Sequence, residues 1–172
     1  VILMREIIIY SPRLTLKPFT ASDATEIYAC ITPTLTRFMS WEPPRDHEEY
    51  QSIWQIWLEH IVQGTAYHFV IRNKANGEFL GLGGFHDVQS DTPELGIWIR
   101  EDQHGFGYGR EAVTAIFGWA SHTFSNQHYI YPVALENYAS RRIAESLNGI
   151  ETYCSMTPKY HSITYFIPSR KM

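Results

Sequence analysis

Cysteine is scarce in this chain: only Cys30 and Cys154 occur among 172 residues. They have no CxxC spacing and no close partner, which excludes a disulfide framework and a cysteine-built zinc site. Two reduced thiols point to a cytoplasmic protein. Long apolar runs are missing as well. No stretch approaches the roughly eighteen apolar residues of a membrane span, so no membrane partner is expected. The start, Val1 to Ile9, is apolar but short, carries charges and has no small-residue cleavage site. It reads as a strand or an ordered start and not as a signal peptide. Positive charge is not in excess, with 14 Lys and Arg against 18 Asp and Glu and a net charge of −4. That balance argues against a nucleic-acid partner gripped through its backbone. Metal-ligand spacing is also lacking. The eight histidines, His47, His60, His68, His86, His104, His122, His128 and His161, form neither HxH nor HExxH, so no metal is expected and scattered polar or core histidines are. No repeat, low-complexity tract or linker divides the chain. One domain over residues 1–172, with a core of about 10–168, is the expected organisation.

Large rings are plentiful. Aromatic residues make up 15% of the chain, with five Trp and eleven Tyr, which suits a core or cleft built from rings that bury much area for little rotamer entropy. Period-two alternation predicts a strand over Arg13–Lys17. A helix is expected over Asp23–Ile31, capped by Thr20 or Ser22, and a second over Glu48–Val62 after Pro43-Pro44. Phe69–Ile71 and Phe79–His86 read as strands joined at Asn76-Gly77, a strong hairpin signal. Glu94–Arg100 is strand-like, with Leu95, Ile97 and Ile99 on one face and Glu94, Gly96 and Trp98 on the other. Ala112, Val113, Ile116, Phe117 and Ala120 recur at helical spacing. A strand over His128–Ala134, a helix over Asn137–Leu147 and two closing strands around Tyr153 and Ile163–Ile167 complete the chain. The fold class is a mixed α/β (α+β) architecture around one central sheet of about seven strands.

Between the strand at Glu94 and the helix at Ala112 lies His104-Gly105-Phe106-Gly107-Tyr108-Gly109. Alternating glycines let successive backbone N–H groups turn toward one centre. The helix that follows aims the positive end of its dipole at the same point. A phosphate or pyrophosphate is the natural occupant, and a flexible turn is the plainer alternative. A Walker loop is excluded because Arg110-Glu111 follows Gly109. A dinucleotide fingerprint fails from Gly105. It matches from Gly107 with Ala112 last, but that fingerprint belongs to the first turn of a parallel unit and this loop follows hairpin-linked strands.

The runs Glu94-Leu95-Gly96-Ile97-Trp98-Ile99 and His104 to Ala112 resemble the acetyl-CoA signature of the GNAT superfamily of N-acetyltransferases. Within it they resemble the RimJ/RimL-type branch, which acetylates ribosomal-protein N-termini. Arg13 to Phe19 with Asp23-Ala24 is similar to that branch's opening, and Glu136-Asn137-Tyr138-Ala139-Ser140 to its ENxxS helix start. The resemblance covers roughly Arg13 to Phe166. It implies a GNAT fold whose fourth and fifth strands splay apart, with acetyl-CoA as co-substrate in the gap and an amine as acceptor. Pantetheine would pair with the backbone from Trp98 through Ile99 to Arg100. The pyrophosphate would sit on N–H groups from Gly105 through Phe106, Gly107, Tyr108 and Gly109 to Arg110. Pro132 suits a strand whose neighbour has already parted, where its missing N–H costs little.

The resemblance also implies roles. Glu94 is the expected general base, and Ser140 the expected proton donor to the coenzyme A sulfur. Asn137 would contact the cofactor, and Arg110, Arg141 and Arg142 are candidates for its phosphates. The alternatives are local: a salt-bridged Glu94, Asn137 as helix cap, Ser140 in a first turn, and solvated arginines. Phe38, Trp41, Trp54 and Trp57 fall where relatives build the acceptor lip. Two positions depart from the family. His104 stands where Gln or Arg is usual, which makes that contact pH-dependent. Asn148 stands where a helix-closing Gly is usual, so either Asn148 takes the left-handed cap or the helix runs one residue longer. The expected activity is direct acetyl transfer from acetyl-CoA to a primary amine of a protein N-terminus or a small molecule. A non-catalytic acyl-CoA-binding module on the same fold is the other reading. Dimers are common in the family, and the resemblance admits a homodimer, although nothing in the chain demands one.

Overall fold

Alternation decides the N-terminal strands: Leu14 and Leu16 are fully buried, while Thr15 between them is half-buried and Lys17 after them faces solvent. In the computed structural model, which describes residues 6–126 and 128–169, such strands assemble into one eight-stranded sheet. These are β1 (Ile9–Tyr10), β2 (Leu14–Pro18), β3 (Tyr67–Asn73), β4 (Phe79–His86), β5 (Glu94–Ile99), β6 (His128–Ala134), β7 (Ile150–Met156) and β8 (His161–Pro168). They lie side by side in the order β1-β2-β3-β4-β5-β6-β8-β7. The count exceeds the expected seven because the two-residue β1 adds an outer edge, too short to show a period in sequence. Of the ordered start expected over Val1–Ile9, residues 1–5 lie outside the described residues.

Five helices cover the sheet: α1 (Ala24–Tyr28), α2 (Pro33–Thr36), α3 (His47–Gln63), α4 (Tyr108–Thr123) and α5 (Tyr138–Ser146). α2 was not anticipated, because a single turn carries no periodicity; Pro33 at its start and the Thr32 hydroxyl accepting from Leu35 N at 3.1 Å mark it locally. α3 begins at Asp46, whose carboxylate accepts from Glu49 N at 2.8 Å, and ends at Gly64 with φ 69°. α4 and α5 pack on one face of the sheet through Val113, Ile116, Phe117 and Ile143. α1 and α3 cover the other, where Phe19, Ile27, Tyr50 and Phe79 are buried.

All neighbouring strands are antiparallel except β5 and β6, which run parallel and share one register pair, Glu94 with Ile130. Beyond it they part. This opening is the splay expected between the strands of residues 94–100 and 128–134, which β1 shifts from fourth and fifth to fifth and sixth. Ile130 N donates to Pro93 O at 2.9 Å, so the even-numbered N–H positions of β6 face β5, and the missing N–H of Pro132 faces the gap. There it interrupts no ladder.

Candidate active site

One face of the β4–β5 hairpin carries three register pairs: Leu82 with Trp98, Gly84 with Gly96, and His86 with Glu94. The middle pair has no side chains. A Cβ on Gly96 would meet nothing within 4 Å, whereas one on Gly84 would run into the His86 ring. The hollow therefore lies over Gly96, where a strand normally presents a side chain, and His86 covers the glycine beside it. α3 and the 37–46 loop roof that hollow and make a cavity of about 680 Å³. Glu94, Trp98, Asn137 and Ser140 all line it. Two residues distant in the sequence therefore meet in one place, Glu94 from the start of β5 and Ser140 from the first turn of α5.

Glu94 is half-buried. Burial first, and the nearby Asp87 carboxylate second, raise its pKa above the ordinary glutamate value. Ser140 Oγ lies 2.6 Å from the phenolic oxygen of Tyr131. Tyr131 is 1% exposed, and burial pushes its pKa up to about 12 against the lowering effect of Ser140. It therefore stays protonated at neutral pH, held behind the serine in a contact across which either hydroxyl can donate. Sequence reasoning missed Tyr131. It belongs to β6 and Ser140 to α5, and only the packing of α5 on the sheet joins them. The alternation of buried Tyr129, Tyr131 and Val133 on β6 was the one available hint.

Asn137 caps α5, its side-chain oxygen accepting from Ser140 N at 3.3 Å. The local reading and a place at the cavity hold together. Asn148 takes the left-handed cap with φ 64°, and α5 ends at Ser146. Gly149 must follow without a side chain, because a Cβ there would lie 2.6 Å from the Ala144 carbonyl oxygen.

At the far end of the gap, Gly105 (φ 88°) and Gly107 (φ 80°) turn the chain into α4, with Gly107 as its N-cap. The first-turn N–H groups there have no intrahelical acceptor. A Cβ on Gly105 would meet nothing within 4 Å, so the space over the loop is open. Phe106 is 57% exposed beside it, and Arg110 and Arg142 are exposed. Tyr108 is stacked under Arg13, whose guanidinium carbon is 4.5 Å from the ring centroid. Gly109 brings α4 close to α5 and β5: its Cβ would sit 3.4 Å from Ile143 and 3.6 Å from Ile99. An open loop of left-handed glycines on a helix start fits a pyrophosphate.

The strand edge corrects one expectation. Arg100 N donates to Leu80 O at 2.8 Å, so even-numbered backbone groups of β5 serve β4, and the gap edge belongs to Ile97 and Ile99. Trp98 contributes its ring to the cavity, not its backbone to the gap. The Arg100 side chain is held by Asp102 at 2.7 Å and Phe79 O at 3.1 Å. His104 lies at the same edge, its Nε2 2.6 Å from Ile99 O, so its ring engages the strand's last free carbonyl. Arg141 is likewise occupied, donating to Tyr165, Leu135 O and Glu151. Of the lip aromatics, Phe38, Trp41 and Trp57 line the cavity, whereas Trp54 packs on Phe19 at 5.9 Å.

Two histidines that sequence reasoning left scattered come together here. His68 of β3 stacks on Trp57 at 4.6 Å and lies 5.0 Å from His86. Desolvation first, then His86 and His60, push the His68 pKa down to about 3; desolvation also lowers that of His86. Both rings are neutral at pH 7. Among the described residues no three His, Cys, Asp or Glu side chains gather as a metal site, and no helix is long and apolar enough to cross a membrane.

A parted sheet has an open glycine loop at a helix start at one end of the gap and, at the other, a cavity lined by a carboxylate and a hydrogen-bonded hydroxyl pair. The family model of the acetyltransferase (GNAT) domain matches residues 13–149, and the chain belongs to that family of acetyltransferases. No curated protein sequence matches it. Solved structures share the fold at low identity. An acetyltransferase from Salmonella typhimurium that modifies the N-terminal serine of ribosomal protein L7/L12 is 17% identical, with TM-score 0.80 over 94% of this chain and 99% of that one. Spermidine N-acetyltransferase from Vibrio cholerae, in complex with CoA and spermine, is 16% identical, with TM-score 0.79 over 92% and 97%. The ribosomal-protein-S5-alanine acetyltransferase from Vibrio fischeri is 16% identical, with TM-score 0.77 over 95% and 97%.

Proposed function

We propose that this protein transfers an acetyl group directly from acetyl-CoA to a primary amine, with Glu94 as base and the hydrogen-bonded Ser140–Tyr131 pair as acid. The observation that carries the proposal is the shared cavity, which holds a carboxylate of raised pKa and a serine backed by a buried tyrosine. Bound acetyl-CoA supplies an activated acetyl thioester. The N–H groups from Gly105 to Arg110 would hold its pyrophosphate, with Arg110 and Arg142 near the phosphates. The gap edge at Ile97 and Ile99 would hold its arm, beside His104 and Asn137.

Glu94 accepts the proton that the amine must lose to become a nucleophile, and its raised pKa brings it nearer to neutrality, where a base works best. Ser140 Oγ delivers a proton to the departing sulfur and takes one from Tyr131 through the 2.6 Å contact. As coenzyme A leaves as its thiol, water entering the cavity returns a proton to Tyr131 and takes the one held by Glu94. The RimJ/RimL type is the branch this reading favours, on the motifs around Glu94 and Asn137.

The test is thiol release from acetyl-CoA with a panel of amines, beside calorimetry with coenzyme A. Glu94→Gln is expected to lower kcat by about 10²-fold or more, and Ser140→Ala similarly, each with coenzyme A affinity retained. Tyr131→Phe is expected to slow the sulfur step while leaving the acidic limb of the pH profile in place. Coenzyme A binding without thiol release from any amine would instead identify a non-catalytic module.

A further inference from the structure

The acceptor side of the cavity has a one-sided charge pattern. Among the described residues its lining includes the carboxylates Glu42 and Glu94, the rings of Phe38, Trp41, Tyr50 and Trp57, and no lysine or arginine. The two cations nearby are already engaged. Lys159 donates to Thr36 O at 2.6 Å and Trp41 O at 3.2 Å and pairs with Glu42 at 2.9 Å. Arg37 lies on the Phe38 ring at 4.7 Å and donates to Thr34 O at 2.6 Å. His68 and His86 complete the wall as neutral rings.

An ammonium entering this space meets ring faces and Glu94, both of which attract it. A carboxylate entering with it meets no cation, loses its water and stands against Glu94. Among the lining residues a second ammonium meets only Glu42, which already pairs with Lys159; Asp87 acts on Glu94 from outside that lining. The pattern therefore separates amines by what stands next to the amino group.

Resting on the acetyltransferase reading, we infer that the cavity selects primary amines carried on an uncharged apolar or aromatic body. A peptide N-terminus and a small arylalkylamine share that chemistry; a free amino acid and a polyamine do not. The rings supply the contact for the body, and Glu94 the contact for the ammonium. Trp41 is 39% exposed at the rim, where it can cover an acceptor that extends outward.

The experiment compares 2-phenylethylamine, a C-terminally amidated peptide with a free N-terminal phenylalanine, free phenylalanine and spermidine as acceptors, read as thiol release. Intrinsic tryptophan fluorescence titrations of the same four run in parallel. The expected result is a kcat/KM for the first or second compound at least about ten-fold above those of phenylalanine and spermidine. Which of the two leads tells a small amine from a peptide end. Trp41→Ala is expected to raise KM for the leading compound, with kcat little changed. Phenylalanine or spermidine equal to or better than both would overturn the inference while leaving acetyl transfer intact. If none is acetylated, the acetyltransferase reading fails by itself, and the fluorescence ranking decides the selectivity. The same order of Kd values upholds it, and tighter binding of phenylalanine or spermidine, or no binding by any of the four, overturns it.

Discussion

At the scale of single residues, the environment of Glu94 decides how the base is tuned. Burial and Asp87 act in the same direction, raising its pKa. With Glu94 as the proposed base, acting deprotonated, kcat/KM is expected to climb with pH through a limb above the ordinary glutamate range. Asp87 sits at φ 50°, a conformation that asparagine adopts readily. Asp87→Asn therefore removes the charge without backbone strain, and the limb is expected to move to lower pH, as read from a kcat/KM profile. An unmoved limb would assign the titration elsewhere. Period-two alternation was enough to place Glu94 on a face with Gly96 and Trp98. It could not show that Gly84 stands opposite Gly96, because register across a hairpin depends on both strands. The cavity floor was invisible for that reason.

At the scale of elements, the β5-to-α4 connection and the α5 cap form the proposed cofactor end of the site. Glu111 ties the start of α4 to the start of β2. Burial alone would raise its pKa, but hydrogen bonds from Ser11 and Arg13 outweigh that and hold it low. Gly107 is the left-handed N-cap, and a Cβ there would meet only the flexible end of Arg13 at 3.5 Å. Gly107→Ala is thus expected to cost about 1–2 kcal/mol of conformational strain, measured by urea unfolding, together with weaker coenzyme A binding by calorimetry. The glycine spacing made this loop legible in the sequence. The hydrogen bond of His104 to Ile99 O was not, since it depends on where the turn of Glu101–Gln103 returns the chain.

At the scale of the molecule, the paired histidines link stability to pH. Folding lowers the pKa of His68 to about 3, so the unfolded chain binds a proton that the folded one refuses. The stabilisation is complete above the unfolded value, near 6.5, and is lost as pH falls toward 3. The expected slope is up to about 1.4 kcal/mol per pH unit from this group. His68→Phe keeps a ring against Trp57 and removes the titration. Its loss of stability between pH 7 and pH 5 in urea unfolding is expected to be smaller than that of the unsubstituted protein. An equal loss would mean that His68 does not carry the effect.

The sequence by itself determined the strand and helix pattern from Leu14 onward apart from the single turn α2, and the glycine loop as a candidate anion site, while its resemblance to the family supplied the candidacy of Glu94 and Ser140. Those follow from local periodicity, glycine placement and ordered motifs, which depend on neighbours along the chain. Tertiary structure alone decided that Tyr131 stands behind Ser140, that His68 and His86 share a wall with Glu94, and that Ile97 joins Ile99 at the edge of the gap. Each depends on strand register or on helix-to-sheet packing between segments distant in the chain. The loop around His104 to Gly109 could be read as an anion site from residue spacing. The gap beside it required the parting of β5 and β6, which share a single register pair and leave backbone unpaired where the proposed donor would lie.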